Sequence, residues 1–490
     1  MDKLKSSTDT EKKRPNAIAA AFGMVGKGLG GILKDFLRGN IFVKLSAIWM
    51  GAGYLRYKQF MKAVIMTLLQ GAVIYFITHV AVPNLSKFST LGDTLTERVY
   101  DSATKSMIVV QGDNSFKILL FSLVSLVVLF AALVIYLRNI SSVRRLELLA
   151  KEGKHINTFW EDIRVMMNQK FHKTLLTLPI LGVVIFTIIP ILVMIFIAFT
   201  NYDKTHIVPK NLFTWVGFKN FKQLFGSGLT GTFGYSFVKV LTWTFIWAFF
   251  ATFTTYFGGI FLSLFINNRK TRAKKLWRTL FVITIAVPQF VSLLVVRNFF
   301  SNQGIVNTMC TKIGITDWLH DIGMISGNYI PFLSANGWTH VMIILINIWI
   351  GIPYLMLIAT GVLMNIPADL YESARIDGAS SNQIFRKITM PYMLFVTGPY
   401  LITSFINNIN NFNVIYLLTQ DVYTTLDQKM ANSNAKEVDL LVTWLYRLTQ
   451  EQYNYKMASV IGIMVFIVSA LFTLIAFNIT IRGDKEEKFQ

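Results

Sequence analysis

The chain has 490 residues, of which 53% are hydrophobic and only 15% charged, and its mean hydropathy is +0.50. Soluble domains carry about 25% charged residues, so this balance excludes a soluble globular protein and points to the membrane. The 47 Lys and Arg against 26 Asp and Glu leave a net charge of +21; membrane topology and attraction to anionic lipid account for it, and no aromatic-basic pattern or groove-reading motif supports nucleic acid as a partner.

The first 60 residues carry Lys3, Lys5, Lys12, Lys13 and Arg14 ahead of any long apolar run, so the first span is expected to serve as both anchor and insertion signal. Residues 16–58 read as one or two helices lying on the inner membrane surface. Ile32, Leu33, Phe36 and Leu37 alternate there with Lys34, Asp35 and Arg38 at helical spacing. Eight apolar runs then follow, at 61–82, 118–137, 175–200, 238–265, 279–300, 341–364, 391–418 and 457–481. Each is long enough to cross the hydrocarbon as a helix. The expected fold class is therefore an all-α polytopic membrane protein of about eight transmembrane helices. Pro288 and Gln289 interrupt the fifth run, which marks either a kink beside the pathway or a packing position.

With the N-terminus inside, the inner segments hold 31 Lys and Arg and the outer segments 13, a bias that places the N-terminus and C-terminus in the cytoplasm. The chain divides into a basic cytoplasmic or interfacial region (1–60), two anchoring spans with a charged connector (61–174), a third span with a short external loop (175–235), a working core (236–481) and a tail (482–490). From 238 onward the spans carry Thr, Asn, Gln, Pro and Gly in their interiors. Such helices face a bundle interior or a water-filled cavity, because a polar side chain in hydrocarbon is unfavourable. Cys310 is the single cysteine, so no internal disulfide forms.

The polar stretch 372–391 stands out between two long apolar runs. Asp369 and Glu372 lie near the expected helix start, where the dipole favours negative charge. Gly378 permits a turn, Pro391 marks the expected start of the next span, and Ile376, Ala379, Phe385 and Ile388 supply an apolar face. A short helix, a turn and a second helix result. The pattern Glu372-Ser373-Ala374-x-x-Asp377-Gly378-Ala379, followed by Phe385, Ile388 and Pro391, resembles the EAA loop of ABC importer permeases. Ser373 replaces the more usual alanine, and the second proline is delayed to Pro399. Three further segments, 213–221, 347–354 and 404–412, extend the likeness to permeases of the maltose/maltodextrin (MalF-like) type over about 175–481. The layout of 1–174 matches in outline.

Two sets of residues share helical faces at i, i+4 and i+7: Asn347, Gly351 and Tyr354, and Ser404, Asn408 and Asn411. Amides and hydroxyls both donate and accept, which suits sugar hydroxyls, and Tyr354 offers a ring for the apolar face of a pyranose. Gly351 removes bulk where a sugar ring could pass. Asn407 adds to the run of five asparagines between 407 and 413. The resemblance points to the same positions and extends them to Ile350. The competing possibility is that the asparagines join helices by hydrogen bonds.

What the resemblance implies is a type I ABC importer permease in a bacterial cell membrane. It would form half of an oligosaccharide pathway and couple through the EAA loop to an ATPase dimer that holds ATP-Mg. A second permease subunit of the MalG kind and an extracellular solute-binding protein would complete the importer. The chain itself is expected to bind no cofactor and to catalyse no reaction: it has no Gly-x-x-x-x-Gly-Lys-Ser/Thr loop and no His-Glu-x-x-His signature. The alternative is an ion-coupled sugar transporter acting alone. It would need a carboxylate in the spans, and none falls within these boundaries.

Overall fold

The computed structural model describes residues 30–102, 105–225, 231–268 and 270–481. The tail 482–490 and the N-terminal stretch before residue 30 lie outside the described residues. Among the described residues, six helices are long and apolar enough to cross a membrane: α1 (Phe60–Ser86), α2 (Ser115–Lys151), α3 (Phe171–Ile197), α4 (Thr232–Asn267), the Trp338–Met364 helix and the helix beginning at Tyr455. The count rises to seven if α5 (Lys274–Ala286) and α6 (Gln289–Phe299), bent by 94°, form one span. The bend falls at Val287 and Pro288, which decides for the kink.

The Trp338–Met364 helix is α7, and the Ala368–Ile376 helix is α8. Residues 391–418 do not form a single span. α9 (Met390–Ile409) ends before the asparagine run does, and α10 (Phe412–Thr419) starts anew beyond it. Asn410 and Asn411 make the break, and Asn411 caps α10 by accepting from the Val414 N–H at 3.2 Å. α11 (Leu441–Gln450) and α12 (Tyr455–Ile481) complete the order.

Three helices widen by one residue per turn, at Ile77–Ala81, Val184–Ile188 and Phe385–Thr389. Each wide turn ends two residues before a proline: Pro83, Pro190 and Pro391. A proline inside a helix lacks its N–H and crowds the carbonyl four residues earlier. A local π-turn relieves both without breaking the helix. Pro391 therefore does not begin a span, as the sequence suggests. The helix already starts at Ser381, where Ser380 and Gln383 form a reciprocal cap, and runs through the wide turn into α9.

Two compact units divide the chain: Met1–Val193 with Val208–Thr214, and Met194–Ile207 with Trp215–Gln490. In the first, α1 and α2 pack with the short Ile41–Ile48 helix around Val43, Tyr54, Ala63, Ile140 and Val143. Glu147 of α2, nearly fully buried, accepts from the Asn40 N–H at 3.0 Å and pairs with Arg144 and Lys151, each at 2.6 Å. One departure from an all-helical chain lies here, an exposed hairpin pairing Glu97–Asp101 with Ser106–Val110.

The second unit is built on α4 and α7. Small residues line their contact: a Cβ on Gly259 would meet the Leu355 Cβ at 2.5 Å, and one on Gly351 would meet Thr255 Cγ2 at 2.8 Å. Backbones approach this closely only where side chains are absent. Thr255 faces Gly351, Gly259 faces Leu355, and Ser263 Oγ lies 2.8 Å from Thr360 Oγ1, so the two helices run parallel. α9 runs the opposite way, since Tyr256 bonds Thr397 while Asn408 reaches back to Thr252. α12 is antiparallel to α9, pairing Phe405 with Phe472 and Asn410 with Ser469. The ends of α4 and α7, all of α8 and the start of α9 consequently share one face of the unit.

Candidate functional site

On that face the EAA-like segment forms a helix–turn–helix. α8 starts after Pro367 and carries Asp369 in its first turn. Glu372 stands a turn further in and exposed, beyond the residues that meet the dipole most directly. α8 ends where Gly378 takes a left-handed φ of 75°. The Ala379 N–H donates to the Ala374 carbonyl at 2.9 Å, and the Gly378 N–H to the Arg375 carbonyl at 3.1 Å. This double closure satisfies the last carbonyls of α8 and requires a residue that tolerates positive φ. It accounts physically for Gly378, with Asp377 as the cap, while Ala374 and Ala379 enter the closure through their backbone alone.

The expected apolar face does not form as one surface. Phe385 packs against the cluster of Tyr256, Ile260, Leu355 and Met393 at the ends of α4, α7 and α9. Ile376 is 86% exposed on the other arm. Ile388 and Pro391 are half-buried, Glu372 and Ser373 are exposed, and the Tyr371 hydroxyl meets Thr389 Oγ1 at 3.2 Å, joining the two arms. The helix–turn–helix is thus pinned to the core by Phe385, braced across its arms by Tyr371, and presents Glu372, Ser373, Ile376 and Asp377 outward.

The polar residues lie higher in the same core. α7 carries Asn347, buried at 8% exposure, Ile350 against the central apolar cluster, and Tyr354, half exposed. Gly351 opens no space for a ring, because Thr255 of α4 already fills it. Nor do Ser404, Asn408 and Asn411 form a face of one helix, since the chain breaks after Ile409. They are linked in another way. Asn411 Nδ2 donates to Asn408 Oδ1 at 3.4 Å, and Asn408 Nδ2 donates to Thr252 Oγ1 at 3.0 Å. The Asn408 carbonyl, at the end of α9, accepts from the Asn411 N–H at 3.2 Å and also from Trp247 Nε1 at 3.0 Å. Asn407 turns to the exposed side. Tyr400 lies against Ser404 and near Tyr354, bringing the two predicted sets toward one another. Sequence spacing missed Thr252, Trp247 and Tyr400. Thr252 and Trp247 are 156 and 161 residues from Asn408, beyond any local pattern; Tyr400, four residues before Ser404, was within one.

The 213–221 motif has a structural role. Asn220, buried, donates to the Ala198 and Thr200 carbonyls at 2.8 and 2.7 Å, closing the end of α3.

These features have counterparts in known proteins. The family described as binding-protein-dependent transport system inner membrane component matches residues 256–481. The maltodextrin transport system permease protein MdxF of Bacillus subtilis is 32% identical over 445 residues, covering 89% of this chain and 94% of the relative. The galactooligosaccharides transport system permease protein GanP of the same organism is 32% identical, covering 87% and 94%. The maltose/maltodextrin permease MalF of Escherichia coli is 30% identical over 54% of this chain and 49% of its own length. Among solved structures, a bacterial ABC transporter involved in import of the acidic polysaccharide alginate matches with a TM-score of 0.51 and 24% identity, over 66% of this chain and 99% of that one. An identity this low speaks for the fold alone.

The chain belongs to the binding-protein-dependent transport permeases: it is a multi-pass, pore-forming subunit of an ABC importer and not an enzyme. Within that class it falls among the maltose/maltodextrin (MalF-like) sugar permeases.

Proposed function

We propose that this permease imports maltodextrin-class oligosaccharides, forming half of a pathway completed by a second permease subunit. The observation that carries the reading is the α8 helix–turn–helix. It is held to the ends of α4, α7 and α9 by Phe385 yet leaves Glu372, Ser373 and Asp377 free to meet another protein. An ATPase dimer loaded with ATP-Mg would grip that surface, and closure of the dimer would displace α8. Because Phe385 packs against a cluster that all three core helices contribute to, displacement of the loop would tilt them together. Asn347, Ile350, Tyr354, Ser404, Asn407, Asn408 and Asn411 would line the sugar path, Gly351 serving as the close contact that lets α7 move with α4. An extracellular solute-binding protein would deliver the sugar to the opposite face.

The helix directions favour eight crossings. Parallel α4 and α7 require the chain between them to return across the unit, so α5 and α6 count as one crossing, and antiparallel α9 adds another. The cations Lys270, Arg272, Lys274, Lys275 and Arg278 follow α4 on the face that bears α8. This positive charge supports a cytoplasmic coupling surface.

Glu372→Lys tests the coupling. In proteoliposomes holding the complete importer, the variant should assemble normally while sugar-stimulated ATP hydrolysis and uptake fall at least tenfold, roughly 1.4 kcal/mol of coupling. Undiminished stimulated hydrolysis would remove α8 as the docking element. Uptake driven by an ion gradient without ATP would favour a lone secondary transporter instead.

A further inference from the structure

Between α1 and α2 the first unit holds an apolar slot of about 350 Å³. Leu69, Val73 and Ile77 line one wall, and Leu129, Ala132 and Ile135 the other. Its polar side chains are spent on the backbone that closes one end. Gln70 accepts from the Met50 N–H at 2.9 Å and donates to the Ile48 carbonyl at 2.8 Å, while the Tyr136 hydroxyl donates to the Ala47 carbonyl at 2.9 Å. The slot is open along its side, where Ile74 and Leu133 on its lips are 53% and 51% exposed. A dry groove at the depth of two membrane spans offers nothing to water or to a sugar, and it matches a hydrocarbon chain.

The closed end meets a strongly basic surface. Residues 30–58 carry Lys34, Arg38, Lys44, Arg56 and Lys58, all exposed, against a single acid, Asp35. Asp35 is turned inward and accepts from Ser141 Oγ at 2.9 Å. The nearby acid Glu147 is nearly buried and held by Arg144, Lys151 and the Asn40 N–H. The acids of this corner are therefore engaged inside the protein, and five cations face outward with exposed Ile41, Leu45 and Ile48 beside them. We propose that the α1–α2 slot is a binding site for an anionic phospholipid of the bilayer, with one acyl chain in the slot and its phosphate on the cations of 30–58. Such a lipid would fix the angle between the two anchoring spans. The inference is independent of the transported sugar and of the coupling loop.

Trp49 reports on the site, since it adjoins the lining residue Met50 and its Nε1 donates to Thr67 Oγ1 of α1 at 2.8 Å, one turn from the lining residues Leu69 and Gln70. The assembled importer is placed in phosphatidylcholine nanodiscs containing a minor fraction of either brominated phosphatidylglycerol or brominated phosphatidylcholine. The fluorescence quenched is measured as the difference between wild type and Trp49→Phe. Brominated phosphatidylglycerol should quench Trp49 roughly fivefold more effectively, as expected for about 1 kcal/mol of preference from one cation at the surface. Lys44→Gln with Arg56→Gln should equalise the two lipids while leaving access. Ala132→Phe, which fills the slot, should lower quenching by both and remove the preference for phosphatidylglycerol at unchanged helix content. Equal quenching by both lipids in wild type would overturn the proposal. So would full quenching in Ala132→Phe, or protection of Trp49 from both lipids only when the second permease subunit is present, which would assign the slot to a protein helix.

Discussion

Gly351 and Asn408 show how far a residue's role depends on what stands across from it. A Cβ at Gly351 would lie 2.8 Å from Thr255 Cγ2, with little room to retreat between two parallel backbones. Gly351→Leu should therefore destabilise the α4–α7 pair by about 1–3 kcal/mol, read as a lower unfolding temperature of the purified importer; an unchanged transition would mean that the helices separate more easily than their packing suggests. Asn408 joins α9 to α4 through Thr252. Asn408→Leu forfeits one interhelical hydrogen bond in the membrane, about 0.6–1 kcal/mol, but under the proposed pathway it should cut sugar uptake tenfold or more. Normal uptake at reduced stability would leave Asn408 as a helix connector only.

At the scale of elements, prolines, caps and short polar staples set where each helix bends and stops. The three wide turns carry helices past Pro83, Pro190 and Pro391, whereas Pro288, between α5 and α6, turns the chain by 94°. Two carboxylates staple the connectors on the side opposite α8 or beside the hairpin. Burial pushes the Asp203 carboxyl up, but Lys456 at 2.6 Å, with Thr205 and His206, outweighs that and holds it well below the usual carboxylate range. Lys87, also at 2.6 Å, likewise holds Asp113 low, with the Asp93 and Thr94 backbone adding to the effect. Both groups ionise more readily in the folded chain than in the unfolded one. Their stabilisation is thus complete at neutral pH and is lost as pH falls below about 4 toward the folded values. Hydrogen exchange, corrected for intrinsic rate, should rise in 198–207 and 87–94 on acidification and stay flat between about pH 8 and 5. An equal rise throughout the molecule would mean global unfolding instead.

For the whole molecule the decisive quantity is direction. Parallel α4 and α7, with α9 reversed and α12 reversed again, place the 368–389 segment and the segment that holds Cys310 at opposite ends of the core if α5–α6 crosses. In a Cys310→Ser background, a cysteine at Ser381 should react with an impermeant maleimide only from the cytoplasmic side. Native Cys310 should react only from the outside. Labelling of both from one side would refute the eight-crossing path.

Much of this was legible in the sequence because hydrocarbon thickness imposes a length and a composition that each span must satisfy locally. The apolar runs marked most of the helices, Pro288 pointed to the bend, and the stretch from Glu372 to Pro391 announced a short helix, a turn and a second helix. The sequence could not say that Pro391 is bridged by a wide turn, that Ile376 parts company with Phe385, or that the asparagine run breaks a helix rather than lining it. Nor could it say that Gly351 is filled by Thr255, or that Asn408 answers to Thr252 and Trp247. Each of those depends on which surface arrives from more than a hundred residues away. Contacts of that range are settled only when parallel and antiparallel helices have chosen their neighbours.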